Sequence, residues 1–341
     1  MTCPGWQVRK KVPGLFGVDA LNVVLVLISC ALAHIAPYWL LAFSYGVLGP
    51  AHYLTQISWL HDRKYFSTST YLAPAMVTIA CVLVLPVLLG AKVPDPWFAA
   101  LLLCAALAVA VAVAVSPRLG LAAGVLVALV LVAVTLRFRA IALFIALLLP
   151  TVMHIFFFTG AFMLQGASRS RSTAGYVAVL ALIACAATFW LPIGALSYIA
   201  PSHATVTEFF QPVVDELSRL GFPTASGQRL FGFLAFAYTY HYLNWFSKVN
   251  VIRWSDVPRA RCKAIAVIYL LLLAAYACSF LVGFALSLLL SVLHVLLELP
   301  LNVSTFSALA QSTTRAGSVW ARRRADTAAL ASTPGRDPLD Q

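Results

Sequence analysis

Charged side chains are scarce in this sequence. Only 10% of its 341 residues are Asp, Glu, Lys or Arg, whereas 62% are hydrophobic, and a typical soluble domain carries about 25% charged residues. This shortage excludes an ordinary water-soluble protein. Apolar runs such as WFAALLLCAALAVAVAVAV, residues 97–115, approach the roughly 20 residues with which a helix crosses a bilayer. Because the runs do not alternate in polarity, a transmembrane β-barrel is excluded as well. The sequence therefore predicts an all-α, polytopic transmembrane helix bundle embedded in the lipid bilayer.

The sequence motifs of several common enzyme classes are also absent. The seven cysteines form no CxxC pair, which argues against a cysteine metal cage. There is no HExxH, no GxSxG and no P-loop. The HxxxH and HxxHH boxes of membrane desaturases and hydroxylases are missing too. Any chemistry of this protein must therefore come from residues that the fold brings together from distant segments.

Apolar runs broken by charge, proline and glycine predict ten spans. They lie near residues 20–36, 38–60, 69–90, 97–115, 119–136, 140–162, 174–193, 229–247, 264–282 and 284–299. The last two can also form one bent helix, so we expect eight to ten spans. Basic residues beside the runs predict that both termini lie in the cytoplasm. We expect the chain to lie in the inner membrane of a bacterium. Orientation in the membrane also accounts for the net charge of +12, and we expect no nucleic-acid partner.

The chain divides into a transmembrane domain, residues 1–312, and a tail, residues 313–341. Within the first, the outer segment 203–228 has apolar residues at helical spacing. This pattern predicts an amphipathic helix on the membrane surface, and a packed loop is the alternative. The tail is rich in Arg, Ala, Ser, Thr and Pro and lacks a hydrophobic face. We therefore expect a disordered cytoplasmic tail.

Histidines recur inside the apolar spans. Ionisable groups within a membrane are costly, and they usually face the bundle interior and mark function. The predicted topology places His52, His154, His241 and His294 at similar depth, in the cytoplasmic halves of four different spans. Glu298 follows His294 by four residues, a spacing from which two side chains can reach one ion. We therefore predict a metal site with these four histidines and Glu298 as ligands.

Further polar residues accompany the predicted ligands. Tyr238, His241 and Asn244 share one helix face, because each follows the previous one at position i+3. Asn244 and Tyr238 are therefore candidate catalytic residues that position oxygen or substrate. At the edge of the second span, Asp62 is a further candidate to complete or orient the site. His61 is half a turn out of phase with the ligand on that span, so it joins only if the helix ends or bends first.

Imidazole and carboxylate ligands without thiolate suit iron, zinc or copper, and a site with open coordination positions suits non-haem iron and dioxygen. Other interpretations stay open at this point. Haem can lie between His154 and His241 as axial ligands. A transporter or channel can use buried histidines to relay protons or bind a solute. A membrane scaffold can use them only for hydrogen bonds between helices.

The histidine-bearing segments resemble those of a known family. GPAHY around His52 in an early span, a histidine in a middle span and YHYLNWFSKV around His241 in a late span are similar in layout to the bacterial Brp/Blh family of β-carotene dioxygenases. The resemblance implies an Fe(2+) site built by histidines of several helices, with His52, His154 and His241 as ligands and His34 or His294 as a fourth. It implies a membrane-embedded, histidine-ligated iron oxygenase that acts on a hydrophobic small-molecule substrate, an isoprenoid or lipid.

Overall fold

The structure, a computed structural model, describes residues 17–64, 72–89, 152–191, 224–248 and 256–302, with a few single positions between them. The elements in these ranges are helices, and the prediction of an all-α protein is confirmed. Several predicted features lie wholly or mostly outside the described residues. These are the spans at 97–115 and 119–136, the outer segment 203–228 and the tail 313–341.

The described helices follow the chain with short connections. They are α1 (Val18–Ile35), α2 (Pro37–Phe43), π1 (Ser44–Leu48), α3 (Gly49–Asp62), α4 (Leu72–Leu88), π2 (Val152–Thr159), α5 (Gly160–Ser170), α6 (Thr173–Thr188), α7 (Thr224–Ser247), α8 (Arg259–Cys278) and α9 (Phe280–Asn302). The last two predicted spans are separate helices, because Ser279 between them is extended, with φ −158° and ψ 119°. Helix α5 continues to Ser170, beyond residue 162, where the sixth predicted span ends.

Three of the described helices, α1, α8 and α9, are long and apolar enough to cross a membrane. The outward face of α8 is apolar, with Val267, Ile268, Leu270 and Leu271 all exposed. A large exposed apolar face is unfavourable in water and is typical of a surface that contacts lipid. These helices indicate a membrane protein, and the number of eight to ten spans stays a prediction.

Helix α7 lies at the centre of the described bundle. On one side it packs with α1 and α6 in a core of apolar residues that includes Phe236, Val26 and Leu182. A second core joins α3, α4 and α9. Because protein rather than lipid surrounds α7, this helix can carry polar side chains that would be costly at the lipid surface. Its buried residues include His241 and Asn244.

Two π-helical segments lie next to, or contain, predicted ligands. π1 ends just before α3, whose Pro50 lies in the first turn, and proline cannot donate a backbone hydrogen bond to the preceding turn. π2 contains His154 itself. The wider turn of a π-helix changes which side chains share a face, and such turns are frequent at functional sites. The irregular backbone of this protein is therefore found at the elements that present histidines to the interior.

Candidate metal centre

Four buried histidines from four separate elements meet at one point. They are His52 on α3, His154 on π2, His241 on α7 and His294 on α9. One ring nitrogen of each lies within 4.8 Å of those of the other three. All four residues are between 0% and 7% exposed. The structure therefore brings together the four histidines that the sequence predicts, and this cluster can hold a metal ion.

The four rings are arranged in a closed order around the point. Ring centroids are 4.7 Å apart for His52 and His241, and 4.6 Å apart for His241 and His154. They are 5.1 Å apart for His154 and His294, and 5.3 Å apart for His294 and His52. The interplanar angles lie between 67° and 85°, so the rings meet edge to face rather than stacking. This arrangement allows ring nitrogens to face a common centre.

The spacing of the nitrogens is difficult to explain by hydrogen bonds alone. Nε2 of His241 lies 3.1 Å from Nε2 of His154 and 3.1 Å from Nε2 of His52. An imidazole nitrogen carries one lone pair or one N–H, directed along one line in the ring plane. It therefore cannot form straight hydrogen bonds to both neighbours. A shared cation removes this conflict, because two nitrogens about 2.1 Å from one ion and 3.1 Å apart subtend about 95° at that ion.

The same distance argues against haem between His154 and His241. Axial ligands on the two faces of a haem would be about 4 Å apart, twice a metal–nitrogen bond of about 2 Å, with the porphyrin plane between them. The 3.1 Å between the two Nε2 atoms leaves no space for that plane. An ion between these two nitrogens needs no such space.

Two of the histidines have a hydroxyl or backbone carbonyl oxygen atom beside the second ring nitrogen. Oγ1 of Thr159 lies 3.0 Å from Nδ1 of His241, and the carbonyl oxygen of Leu290 lies 3.3 Å from Nδ1 of His294. In metal sites such oxygens fix the tautomer and orientation of a ligating imidazole and increase its basicity. Nε2 of His294 has no hydrogen-bond partner among the described residues, which leaves it as the ligand atom of this ring.

Glu298 lies on the outer side of the cluster. This residue is 5% exposed, and its Oε2 lies 3.3 Å from Nδ1 of His154 and accepts a 2.7 Å hydrogen bond from Nε2 of Gln56. Because Nε2 of His154 faces His241, the carboxylate lies at the opposite nitrogen of the ring. A buried carboxylate needs a positive charge nearby, and an imidazole bound to a cation would supply it. Direct ligation by Glu298, as the sequence suggests, stays a prediction.

The two candidate catalytic residues lie on α7 with His241. Asn244 is 4% exposed, and its Oδ1 has no hydrogen-bond partner in the part of the chain that the structure describes. Tyr238 packs edge-on against Tyr45, with ring centroids 5.5 Å apart, and tilted against Tyr242, at 5.9 Å. Their predicted roles in positioning oxygen or substrate stay predictions.

Two tyrosines that sequence reasoning missed cover the cluster. Tyr53 stacks on His294 with ring centroids 4.6 Å apart, and Tyr242 lies tilted over His52 at 4.9 Å. Both tyrosines are buried, and their hydroxyl groups are hydrogen-bonded to each other. The sequence feature that could have identified these tyrosines is their position, since each directly follows a predicted ligand. These rings form an aromatic wall that separates the cluster from its surroundings.

His34 lies in another part of the described bundle. Its Nε2 is 2.8 Å from Oγ1 of Thr188, and its ring stacks on Phe189 with centroids 4.2 Å apart. The resemblance implied His34 or His294 as the fourth histidine of the site. In the structure the fourth histidine of the cluster is His294.

The end of α3 is exposed and charged. The side chains of His61 and Asp62 are 62% and 40% exposed. Arg261 on α8 forms an ion pair with Asp62, and its hydrogen bond lowers the pKa of that carboxyl below its usual value. Because α3 continues as a helix to this point, neither His61 nor Asp62 belongs to the buried cluster.

No protein-family model, no curated protein and no solved structure matches this chain. The functional argument therefore depends on the site itself. The sequence leaves two arrangements of the buried histidines open, a convergent metal site and a polar line across the bilayer that serves transport. Four ring nitrogens within 4.8 Å of one another form a cluster that could hold a metal ion, rather than a line across the bilayer.

Proposed function

We propose that the protein is a membrane-embedded iron oxygenase that binds Fe(2+) through His52, His154, His241 and His294 and acts on an isoprenoid or other lipid-soluble substrate. The observation that carries this proposal is the convergence of four buried ring nitrogens within 4.8 Å. The resemblance to the Brp/Blh dioxygenases supports the choice of reaction. In this proposal the protein lies in a bacterial inner membrane with both termini in the cytoplasm.

The ligand set supports iron. Four imidazoles without a thiolate suit iron, copper or zinc, and four protein ligands leave positions open on a six-coordinate ion. When bound, ferrous iron with open positions supplies the ability to bind and activate dioxygen. The roughly 95° between neighbouring nitrogens is compatible with adjacent positions of such an ion.

The residues around the ligands hold the site in place. Thr159 and the Leu290 carbonyl group orient the rings of His241 and His294. Glu298 balances part of the charge of a bound cation through the ring of His154. The charge and the ring orientations are thus set by groups that are themselves buried.

A hydrophobic substrate suits the surroundings of the cluster. The aromatic wall of Tyr53 and Tyr242 excludes water from two of the rings, and apolar helices separate the site from the aqueous phase. A substrate dissolved in the bilayer reaches such a site without crossing water. In this proposal Asn244 and Tyr238 position the substrate or dioxygen beside the metal.

Metal analysis tests the proposal first. We expect near-stoichiometric iron, measured by mass spectrometry, in wild-type protein purified in detergent. His154→Ala and His241→Ala should lose it, whereas His34→Ala should retain it, because His34 is a partly buried histidine on α1 outside the cluster. Size-exclusion profiles and circular dichroism show whether each variant is folded. If His241→Ala does not fold, His241→Gln replaces it in the test.

The reaction is tested next with the iron-loaded protein. Isoprenoid substrates incubated with ¹⁸O₂ should give products that contain ¹⁸O, and the His241→Gln variant should give none. A folded wild-type protein that binds no iron, even after anaerobic loading, would show that the proposal is wrong. Stoichiometric copper or zinc in place of iron would keep the metal site and contradict the assignment of an iron oxygenase.

A further inference from the structure

A line of aromatic rings connects the histidine cluster with the exposed end of α3. The ring of Trp245 meets that of His52 edge-on, with centroids 5.5 Å apart and an interplanar angle of 89°. Trp59 lies 5.7 Å from Trp245, also edge-on, at 85°. The guanidinium carbon of Arg63 lies 5.5 Å from the centroid of the Trp59 ring, and Arg63 is exposed. Two ring-to-ring steps therefore lead from His52 to Trp59, and Trp59 packs against the exposed side chain of Arg63.

Hydrogen bonds and packing hold this line in position. Nε1 of Trp245 donates a 3.0 Å hydrogen bond to Oγ1 of Thr55, and Thr55 itself donates to the carbonyl oxygen atoms of Ala51 and His52. Trp59 packs against the core that joins α3, α4 and α9. Because Thr55 and Trp59 belong to the same helix as His52, the separations along the line change little.

The direction of the line follows from helix geometry. Trp59 lies seven residues after His52 on α3, about two turns along the axis. Trp245 lies four residues after His241 on α7, about one turn along the axis. Both steps lead toward the end of α3, where residues 61–64 are exposed. Three cationic side chains are found there against one acidic side chain: Arg63, Lys64 and Arg261 against Asp62.

A buried metal that changes oxidation state needs such a connection. Charged reductants do not enter an apolar interior, because burying a charge is costly. Electron tunnelling falls steeply with distance, so two short steps between aromatic rings are faster than one long step through aliphatic side chains. The cationic end of α3 favours the approach of a negatively charged donor.

We infer that Trp59 and Trp245 carry an electron to the metal bound at His52 from a negatively charged, water-soluble one-electron donor at the exposed end of α3. This inference rests on the proposed redox-active iron. In the step, the donor loses one electron and ferric iron gains it to become ferrous. No bond forms or breaks and no proton is transferred. If the iron becomes oxidised, this path reduces it again to the active ferrous state.

Reduction kinetics test this path. Iron-loaded protein is oxidised to the ferric form and mixed anaerobically with dithionite, an anionic one-electron reductant, in a stopped-flow instrument. Loss of the ferric signal gives the rate. Trp245→Phe and Trp59→Phe should slow this reduction at least tenfold, because the smaller phenylalanine ring leaves a longer gap to each neighbouring ring and electron tunnelling falls steeply with distance. Trp190→Phe is the control, because Trp190 is exposed just after the end of α6 and its ring lies against Phe233 rather than the rings of the line. The iron of this variant should be reduced at the wild-type rate.

Iron content and the ferric electron paramagnetic resonance spectrum of each variant separate the outcomes. Wild-type rates in both Trp245→Phe and Trp59→Phe overturn the path while leaving the iron site established. A second outcome also overturns the path: Trp245→Phe is slow and has an altered ferric spectrum, but Trp59→Phe has a normal rate. In that case Trp245 only positions His52. A wild-type protein without reducible iron instead contradicts the proposed function.

Discussion

Both ring nitrogens of His241 have close neighbours. Its Nε2 lies beside two other ring nitrogens, and its Nδ1 lies beside the hydroxyl group of Thr159. At the scale of single residues, the site therefore depends on both nitrogens of one ring. One nitrogen is available to a cation, and the other determines how the ring is oriented.

Thr159 should contribute to metal affinity although it is not a ligand. Thr159→Val keeps the shape of the side chain but removes the oxygen atom 3.0 Å from Nδ1 of His241. We expect the metal affinity to fall by about 10–100-fold, the usual effect of losing such a partner. Competition titration against a chelator measures it. Thr159→Ser keeps the hydroxyl group and should bind metal nearly as tightly as wild type, and equal loss in both variants would contradict the role of the hydroxyl group.

Glu298 should act through its charge. Glu298→Gln keeps the size of the side chain and its ability to accept a hydrogen bond from Gln56, but removes the negative charge that Glu298 would carry, beside a bound cation, 3.3 Å from Nδ1 of His154. We expect metal affinity to fall by about 10–100-fold with the metal still bound at saturation. Isothermal titration measures the affinity. Complete loss of binding would instead assign Glu298 as a direct ligand, and unchanged affinity would mean that its charge has no role.

The sequence predicts the histidines of the site but not the residues that support them. His52, His154, His241 and His294 can be predicted because a titratable ring in an apolar span is unusual and four of them share one depth. Thr159 cannot be predicted by helical spacing, since it lies five residues after His154 and the backbone there is π-helical. Tyr242 was missed because aromatic residues near span ends have a common alternative explanation, the interfacial belt, and no spacing argument singled out Tyr53.

At the scale of elements, α5 follows π2 directly and packs closely against α6. α5 continues directly from π2, which carries His154. Arg171 between α5 and α6 has φ 51° and ψ 40°, and Ser172 caps α6 by accepting a 3.1 Å hydrogen bond from the backbone N–H of Gly175. The short turn places the two helices side by side.

Gly175 permits this close approach. A Cβ atom added at Gly175 would lie 2.7 Å from Cβ of Ala167 and 3.2 Å from its Cα. Gly175→Ala should therefore separate α5 from α6 and destabilise the protein by about 1–3 kcal/mol, as overpacking commonly does. The midpoint of thermal unfolding in detergent reports the change.

Gly166→Ala is the matched control for this prediction. A Cβ atom added at Gly166, also on α5, would have no atom within 4 Å. Since alanine favours helix over glycine by up to about 1 kcal/mol, this variant should be as stable as wild type or slightly more stable. A lower midpoint in Gly166→Ala than in Gly175→Ala would contradict the packing argument.

At the scale of the whole molecule, the cluster joins segments that are distant in the sequence. Its histidines come from α3, π2, α7 and α9, and the described bundle has two apolar cores, one around α7 and the other around α3, α4 and α9. The sequence predicts the helical class and the approximate positions of most described spans. It does not predict which helix is central, because α7 is less apolar than the outer helix α8 and becomes buried only through its neighbours.

A bound metal should therefore stabilise the whole fold. The unfolded chain does not hold four distant histidines together, so an ion that binds only the folded state at 100 times its Kd contributes about 2.7 kcal/mol. Adding metal to metal-free wild-type protein should raise the unfolding midpoint in detergent, whereas His241→Ala should show no such rise. His34→Ala, which loses the 2.8 Å contact with Thr188, should begin from a lower midpoint but rise as much as wild type. An equal rise in His241→Ala would place the stabilising ion outside the cluster, because that variant lacks the ring whose Nε2 lies 3.1 Å from two of the others.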